Sequence, residues 1–230
     1  MNSASVHELI LMLLRWTHLF FGIAWIGHLY YFNFVQASAE KALDGPMKKI
    51  VVPNFRGRAI WWFRWSAMVT FLSGLTYIFY EQFIETNNQF AHWFGDSRGI
   101  WISFGMLLGS IMWFNVWFVI WPRQQVIIAS VGGLREKPAD FDALVAMAGK
   151  ASRINTYLSV PMLFGMGARK HLVSLSPGMN WVMVAVVLVV GAGIAYHVVN
   201  QVAGKVGKEF LPPAPPAAPA APAAAPPAAK

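Results

Sequence analysis

The sequence feature that most constrains the fold is a set of four long apolar segments, since about 20 apolar residues suffice to cross a bilayer as a helix. They run from Leu9 to Gln36, from Ile60 to Tyr80, from Gly99 to Trp121 and from Met179 to Val202. Hydrophobic residues make up 57% of the 230 residues and charged residues only 12%, which lies outside the range of ordinary soluble domains. The sequence therefore predicts an all-α membrane protein.

A fifth segment, from Ala151 to Ala168, is shorter and more polar than the others. It contains Asn155, Thr156 and Ser159, and Pro161 lies near its middle. At membrane depth such groups are tolerated where they face protein or a cavity. We therefore expect a span that lines an internal site, and a bundle of about five transmembrane helices.

Basic residues set the expected orientation. They cluster in the connections after the first and third apolar segments, whereas the connection after the second segment carries more acidic residues. The positive-inside rule places the two basic connections in the cytoplasm and the N-terminus outside. With five spans the C-terminus is inside, and it moves outside if the polar segment does not cross. Because the net charge of +8 comes largely from loops beside apolar segments, we expect the partner to be a lipid bilayer and not nucleic acid.

The chain divides into a multi-pass helical membrane domain, residues 1–208, and a disordered Pro/Ala-rich tail, residues 209–230. Alternating Pro and Ala cannot build a packed core and forms an extended spacer. The N-terminus lacks a basic leader region and a cleavage site, so we expect the first apolar segment to be retained. The sequence contains no cysteine, which excludes disulfides, thiolate catalysis and a covalent haem c.

Histidines within or beside the apolar segments are the candidate cofactor ligands, because an imidazole in hydrocarbon needs a partner. The candidates for binding a b-type haem are His18, His28, His171 and His197. His18 and His28 are ten residues apart, about 15 Å along a helix, so they cannot bind the same iron. In a five-span bundle His28 and His197 lie at similar depth on parallel helices, and each follows a small residue by one turn.

We therefore predict bis-imidazole ligation of haem iron, the only metal expected, through His197 and either His28 or His18. The alternative is that these imidazoles serve only as hydrogen-bond partners between helices.

Other polar residues at membrane depth are Asn115, Asn155, Tyr157 and Asn200. They are either helix-to-helix hydrogen bonds or the lining of a pocket for a small planar substrate. The third helix is expected to continue past Trp121-Pro122, which would bring Arg123 and Gln124 to the cytoplasmic mouth of the bundle. Gly105 and Gly109, four residues apart, indicate close packing between helices.

Four stretches together resemble the membrane domain of the membrane-bound urate hydroxylase family. They are Arg15-Trp-Thr-His18 with Gly22, Trp25 and Gly27, then Asn115-Val-Trp117 with Ile120-Trp-Pro122, then Asn155 to Phe164 with His171, and His197-Val-Val-Asn200. The resemblance implies a bacterial inner-membrane oxidoreductase of purine metabolism that converts urate to 5-hydroxyisourate and passes electrons through haem to a cytochrome c. In that family the cytochrome is usually a C-terminal domain, and here the CxxCH motif is absent. The resemblance therefore implies an electron acceptor, a cytochrome c or another, on a separate chain.

The resemblance also implies a purine pocket between the third and fourth helices. Its candidate residues are Asn115, Arg123, Gln124, Asn155, Tyr157 and Asn200. Catalytic residues are not identified, and whether copies of the chain form a homo-oligomer is left open. Two rival functions remain: a non-catalytic haem-b subunit for electron transfer or anchoring in a respiratory complex, and a structural membrane protein without a cofactor.

Overall fold

The computed structural model describes residues 3–85, 93 and 95–207, and the regular elements of this part of the chain are helices. Five long helices follow one another: α1, Ser3–Ala42; α2, residues 45–85; α3, Ser97–Val131; α4, Phe141–His171; and α5, Pro177–Val202. The all-α prediction with five helices is confirmed, and α3 continues past Trp121-Pro122 as expected. The predicted tail, residues 209–230, lies outside the described residues.

Capping residues explain where two of the helices begin. The Asp44 side chain accepts a hydrogen bond from the Met47 amide at the start of α2, and Ser176 does the same for Met179 at the start of α5. In both cases a proline follows at the first helical turn, where its missing N–H is not needed. At the other end of α3, Gly133 adopts a positive φ of 78°, which ends the helix because glycine tolerates this conformation.

Helices α1, α3 and α5 run in one direction and α2 and α4 in the other. Two ends of the fold result. The basic end contains residues 36–60, 120–153 and 199–207, and the opposite end contains residues 3–18, 77–85, 95–101 and 165–180. Among the described residues, five helical segments have widened π turns. Four lie at or near the basic end, Tyr31–Gln36, Val52–Arg56, Asn115–Ile120 and Val198–Val202, and the fifth, Glu81–Glu85, lies at the opposite end. Such turns are often found beside functional sites.

The core forms where α4 packs between its neighbours. Helix α1 packs mainly against α2, while α3, α4 and α5 pack on one another and α4 also contacts α1. Small residues bring the backbones close. A Cβ added at Gly165 of α4 would lie 2.9 Å from Phe104 Cδ1 and 3.2 Å from the Gly105 amide nitrogen. The predicted packing role of Gly105 is therefore confirmed.

Polar side chains close the opposite end. Arg15 donates to the Tyr77 hydroxyl, which donates to Glu81 Oε1 at 3.2 Å, and Arg169 pairs with Glu81. These contacts connect α1, α2 and α4.

Asn180, which is fully buried, extends this closed end to α3 and α5. Its Oδ1 accepts from Ser97 Oγ at 3.0 Å and from Trp101 Nε1 at 2.8 Å, and its Nδ2 donates to the Leu175 carbonyl at 3.1 Å. The polar groups of this side chain are thus all engaged.

Three of the helices, α1, α3 and α5, are long and apolar enough to cross a membrane. The polar face of α4 points inward, since Asn155, Thr156 and Ser159 are each fully buried. The expectation that these polar groups face protein is confirmed.

Candidate functional site

Polar residues of α4 join it to α1 and α3 in the middle of the fold. Asn155 Nδ2 donates to the Met112 carbonyl at 3.0 Å, and its Oδ1 accepts from Asn115 Nδ2 at 2.9 Å. Ser159 Oγ lies 2.9 Å from the Tyr30 hydroxyl. The structure therefore brings Asn115 and Asn155 together, as a hydrogen bond between helices that engages both ends of the Asn155 amide.

A second pair of the predicted pocket residues joins α4 to α5. Asn200 Nδ2 donates to the Tyr157 hydroxyl at 3.1 Å and to the Tyr196 carbonyl at 2.8 Å. The rings of Tyr157 and Tyr196 also lie against each other, with centroids 5.6 Å apart.

A cavity of about 660 Å³ opens at the basic end and touches all five helices. Its polar lining is formed by Asn33, Gln36, Ser38, Glu40, Lys41, Lys48, Arg56, Gln124, Ser152, Arg153 and Asn200. Of the predicted pocket residues, Gln124 and Asn200 line it. Asn115, Arg123, Asn155 and Tyr157 lie outside its lining, and Arg123 Nη1 donates to the Val119 carbonyl of its own helix at 2.8 Å.

The wall of the cavity that α1 and α2 provide was not predicted from the sequence. A signal was present in α1, where Asn33, Gln36 and Glu40 are spaced by three and four residues and therefore share one helical face. Arg56 gave no such signal, because only the fold shows that it reaches Glu40.

The cavity has a positive electrostatic bias. Four cationic side chains, Lys41, Lys48, Arg56 and Arg153, face a single carboxylate, Glu40, among the described lining residues. Arg56 Nε donates to Glu40 Oε1 at 3.0 Å, its Nη2 pairs with Oε2, and Gln36 Nε2 also donates to this carboxylate. Burial lowers the pKa of the Arg56 guanidinium, which nevertheless stays charged because arginine titrates far above neutral pH. The remaining cations are available to an anion.

Two amide oxygens in the same lining lack a hydrogen-bond donor. Gln36 Oε1 and Gln124 Oε1 are buried and have no partner among the described residues. A buried acceptor without a donor costs about 1–3 kcal/mol, so such groups usually bind water or a ligand. The cavity therefore combines acceptors that need N–H donors with cations that need an anion.

Two of the predicted haem ligands present a free ring nitrogen. His18 Nδ1 donates to the Thr70 carbonyl at 2.8 Å, and His28 Nδ1 donates to the Ala24 carbonyl at 2.6 Å. Because a carbonyl can only accept, each ring carries its proton on Nδ1 and keeps the Nε2 lone pair, which is the tautomer that binds a metal. The donor chemistry of these residues thus fits haem iron.

The His18 ring lies directly against Gly74 of α2, where an added Cβ would come within 2.8 Å of Nδ1 and Cε1. His171 and His197 are exposed at the ends of α4 and of the regular part of α5. Groups of three or more His, Cys, Asp or Glu side chains that could hold a metal ion are absent from the described part of the chain. The pairing of His197 with His28 or His18 stays a prediction.

Comparison with known proteins gives a family but no individual relative. No curated protein and no solved structure matches the chain. The model of a family described as urate oxidase N-terminal matches residues 79–220. This region contains α3, α4 and α5 with His171 and His197, and it begins after His18 and His28. Because the match covers more than half of the 230 residues, the chain belongs to the urate oxidase N-terminal family.

Proposed function

We propose that this protein is a membrane-embedded oxidoreductase, or the membrane subunit of one, that binds urate in the cavity at the basic end and takes part in its oxidation. The family supports a urate-related function. The observation that carries the choice of site is the pair of donorless oxygens, Gln36 Oε1 and Gln124 Oε1, in a cavity lined by cations.

Urate is a planar purine with N–H donors and carbonyl acceptors on its edge, and it is a weak acid that binds as an anion. Its N–H groups would supply the donors that the two glutamine oxygens lack, once rotation of the side chains brings these buried oxygens to the cavity surface. Its negative charge would be met by Lys41, Lys48 or Arg153, because Arg56 already pairs with Glu40. Charge-assisted hydrogen bonds from such cations are about twice as strong as neutral ones.

Placement in a membrane is supported by the surface as well as by helix length, and the bacterial inner membrane is the location that the family resemblance implies. Large apolar side chains on α1 and α5 are exposed, among them Leu19 at 61%, Ile23 at 67% and Val189 at 73%. Exposed apolar surface of this extent marks contact with lipid or protein. With the basic end in the cytoplasm, the cavity would take urate from the cytoplasmic side.

The reaction would add the oxygen of water to urate, giving 5-hydroxyisourate, two protons and two electrons. A haem b held by His197 with His28 or His18 would supply one-electron transfer between urate and a cytochrome c on a separate chain. The Thr70 and Ala24 carbonyls would orient His18 and His28 and fix their tautomers. A non-catalytic haem subunit is the nearest rival, since the same histidines would serve it.

The test uses the full chain, expressed with haem supplied and purified in mild detergent. We expect a bis-histidine haem spectrum, micromolar urate binding by calorimetry, and urate-dependent reduction of added cytochrome c. Replacing both Gln36 and Gln124 by Leu should weaken binding about a hundredfold, whereas Gln125→Leu, a change at the exposed neighbour of Gln124, should leave it unchanged.

Haem binding without urate-dependent reduction would favour the non-catalytic subunit, and a colourless protein that binds no urate would favour the structural rival. His197→Ala should remove the spectrum. Comparing His18→Ala with His28→Ala then identifies the second ligand.

A further inference from the structure

Arg64 of α2 lies among three tryptophan rings. Its guanidinium carbon is 3.9 Å from the ring centroid of Trp121, 4.8 Å from that of Trp117 and 5.1 Å from that of Trp65. The two ion pairs found within the described residues, Arg56–Glu40 and Arg169–Glu81, do not involve it. Its Nε is buried and has no acceptor among those residues. Within the described part of the chain, Arg64 is thus a cation with aromatic neighbours and no anionic partner.

Tryptophan rings stabilise the charge but do not satisfy the N–H groups. A guanidinium carries five N–H donors in its own plane, whereas a stacked ring lies over its face. The buried Nε–H points in that plane. An oxyanion bound side-on, with one oxygen on Nε and one on Nη, satisfies this geometry, and phosphate and carboxylate are the groups that arginine binds in this way.

The position of Arg64 indicates where the oxyanion comes from. Arg64 follows Ile60, the first residue of the second apolar segment, by four residues, or about 6 Å along a helix. Trp121 is the last residue of the third apolar segment. Trp61, Trp62 and Trp65 beside Arg64 are exposed. Tryptophan at the end of a span lies at the level of the lipid headgroups, and the cytoplasmic leaflet at the basic end carries anionic lipids.

We propose that Arg64, Trp65, Trp117 and Trp121 form a binding site for the phosphate of an anionic phospholipid in the leaflet at the basic end. None of these residues lines the urate cavity, so the site is separate from it. The inference rests on the membrane location proposed above, and it is independent of the urate chemistry.

The experiment is native mass spectrometry of the full chain released from detergent, titrated with short-chain phosphatidylglycerol, short-chain phosphatidylcholine or inorganic phosphate. A carbonate wash of the membranes is done first, so that loss of the chain into the soluble fraction reports failure of the membrane location itself. We expect one tight phosphatidylglycerol adduct. Arg64→Gln should weaken it at least about tenfold, the scale of one lost charge-assisted contact.

Arg58→Gln is the matched control, because Arg58 is an exposed arginine on the same helix without an aromatic ring stacked on it. It should bind as the unchanged protein does. Arg64→Lys keeps the charge but loses the side-on donor pair, so it should bind with intermediate affinity. It also keeps the test decisive if Arg64→Gln does not fold.

Equal phosphatidylglycerol binding by the unchanged protein and both Arg64 variants would overturn the proposal. Phosphatidylcholine binding as tightly as phosphatidylglycerol would overturn the anionic preference. Displacement of the adduct by millimolar inorganic phosphate would assign the site to a small free oxyanion instead of a lipid.

Discussion

The two ends of the bundle treat polar side chains in opposite ways. At the opposite end Arg15, Tyr77, Glu81 and Arg169 engage one another, and Asn180 uses its whole amide on three partners. At the basic end Gln36 and Gln124 keep acceptors without donors in a cavity of about 660 Å³. Polar groups that satisfy one another stabilise a fold, whereas unsatisfied ones cost stability and are retained where a ligand completes them. The comparison separates a closed, stabilising end from an open, binding end.

The largest expected effect is at the closed end. Asn180→Leu removes the acceptor of Trp101 Nε1 and the donor to the Leu175 carbonyl in a fully buried position, and we expect a loss of about 3 kcal/mol of unfolding free energy. Denaturant unfolding in detergent, followed by circular dichroism, measures it. Asn54→Leu, an exposed change, should cost under about 0.5 kcal/mol. Equal losses in the two variants would show that the hydrogen bonds of Asn180 add no particular stability at the closed end.

Glu81→Gln should have the next largest effect, because it leaves Arg169 without its carboxylate. Since the pair is about one-sixth exposed on each side, we expect a loss of about 2 kcal/mol, below the range for fully buried pairs. Thermal unfolding checks this. Glu8→Gln, an exposed acidic residue at the same end, is the control. A Glu81 variant as stable as the control would mean that the pair contributes no stability.

Gly74→Ala tests whether His18 binds haem or only packs against α2. The added methyl group would meet the His18 ring at 2.8 Å, so the ring must move, at a cost of about 1–2 kcal/mol. Gly22→Ala, where the nearest contact is an ordinary 3.7 Å, is the control. If His18 binds haem, the absorption spectrum of the haem-loaded protein should change in Gly74→Ala alone. An unchanged spectrum with reduced stability would assign His18 to packing.

The smallest expected change in stability is at the open end. Gln124→Leu removes a buried acceptor that has no donor, so unfolding free energy should stay within about 0.5 kcal/mol or rise. Urate affinity should nevertheless fall about tenfold, as for one lost hydrogen bond of about 1.4 kcal/mol. Calorimetry and denaturant unfolding on the same preparation measure both. A large loss of stability would show that Gln124 stabilises the fold, as the polar side chains of the closed end do.

Helix α4 was predicted from a segment that is shorter and more polar than the others, Ala151 to Ala168. Apolar length predicted the other four helices, because a run of about 20 such residues has few other ways to satisfy its backbone. It placed the start of the second helix at Ile60, whereas α2 begins at residue 45. The preceding stretch, which contains Pro46 and Pro53, was assigned to the basic connection between the first two apolar segments. The structure accommodates Pro46 in the first helical turn and Pro53 in the widened turn Val52–Arg56, where the usual i→i−4 bond is not required.

The candidate site was less predictable for a different reason. Gln124 was predicted from the expected continuation of the third helix past Trp121-Pro122, and Asn200 because it is a polar residue at membrane depth. Whether a buried amide binds a ligand or another helix depends on which residue faces it, and Asn155 faces Asn115. That pairing is a property of the tertiary fold and leaves no local pattern in the sequence.

The cavity wall is built both from the region that the family model matches and from the part of the chain before it. Gln36, Glu40 and Arg56 come from the part of the chain before residue 79, while Gln124, Arg153 and Asn200 come from the matched region. An expression fragment restricted to residues 79–220 would therefore contain only about half of the cavity lining, and it would lack the Glu40–Arg56 ion pair. Swapping the first two helices between members of the family would likewise exchange one wall and keep the other, which makes that boundary a natural place to recombine ligand preference.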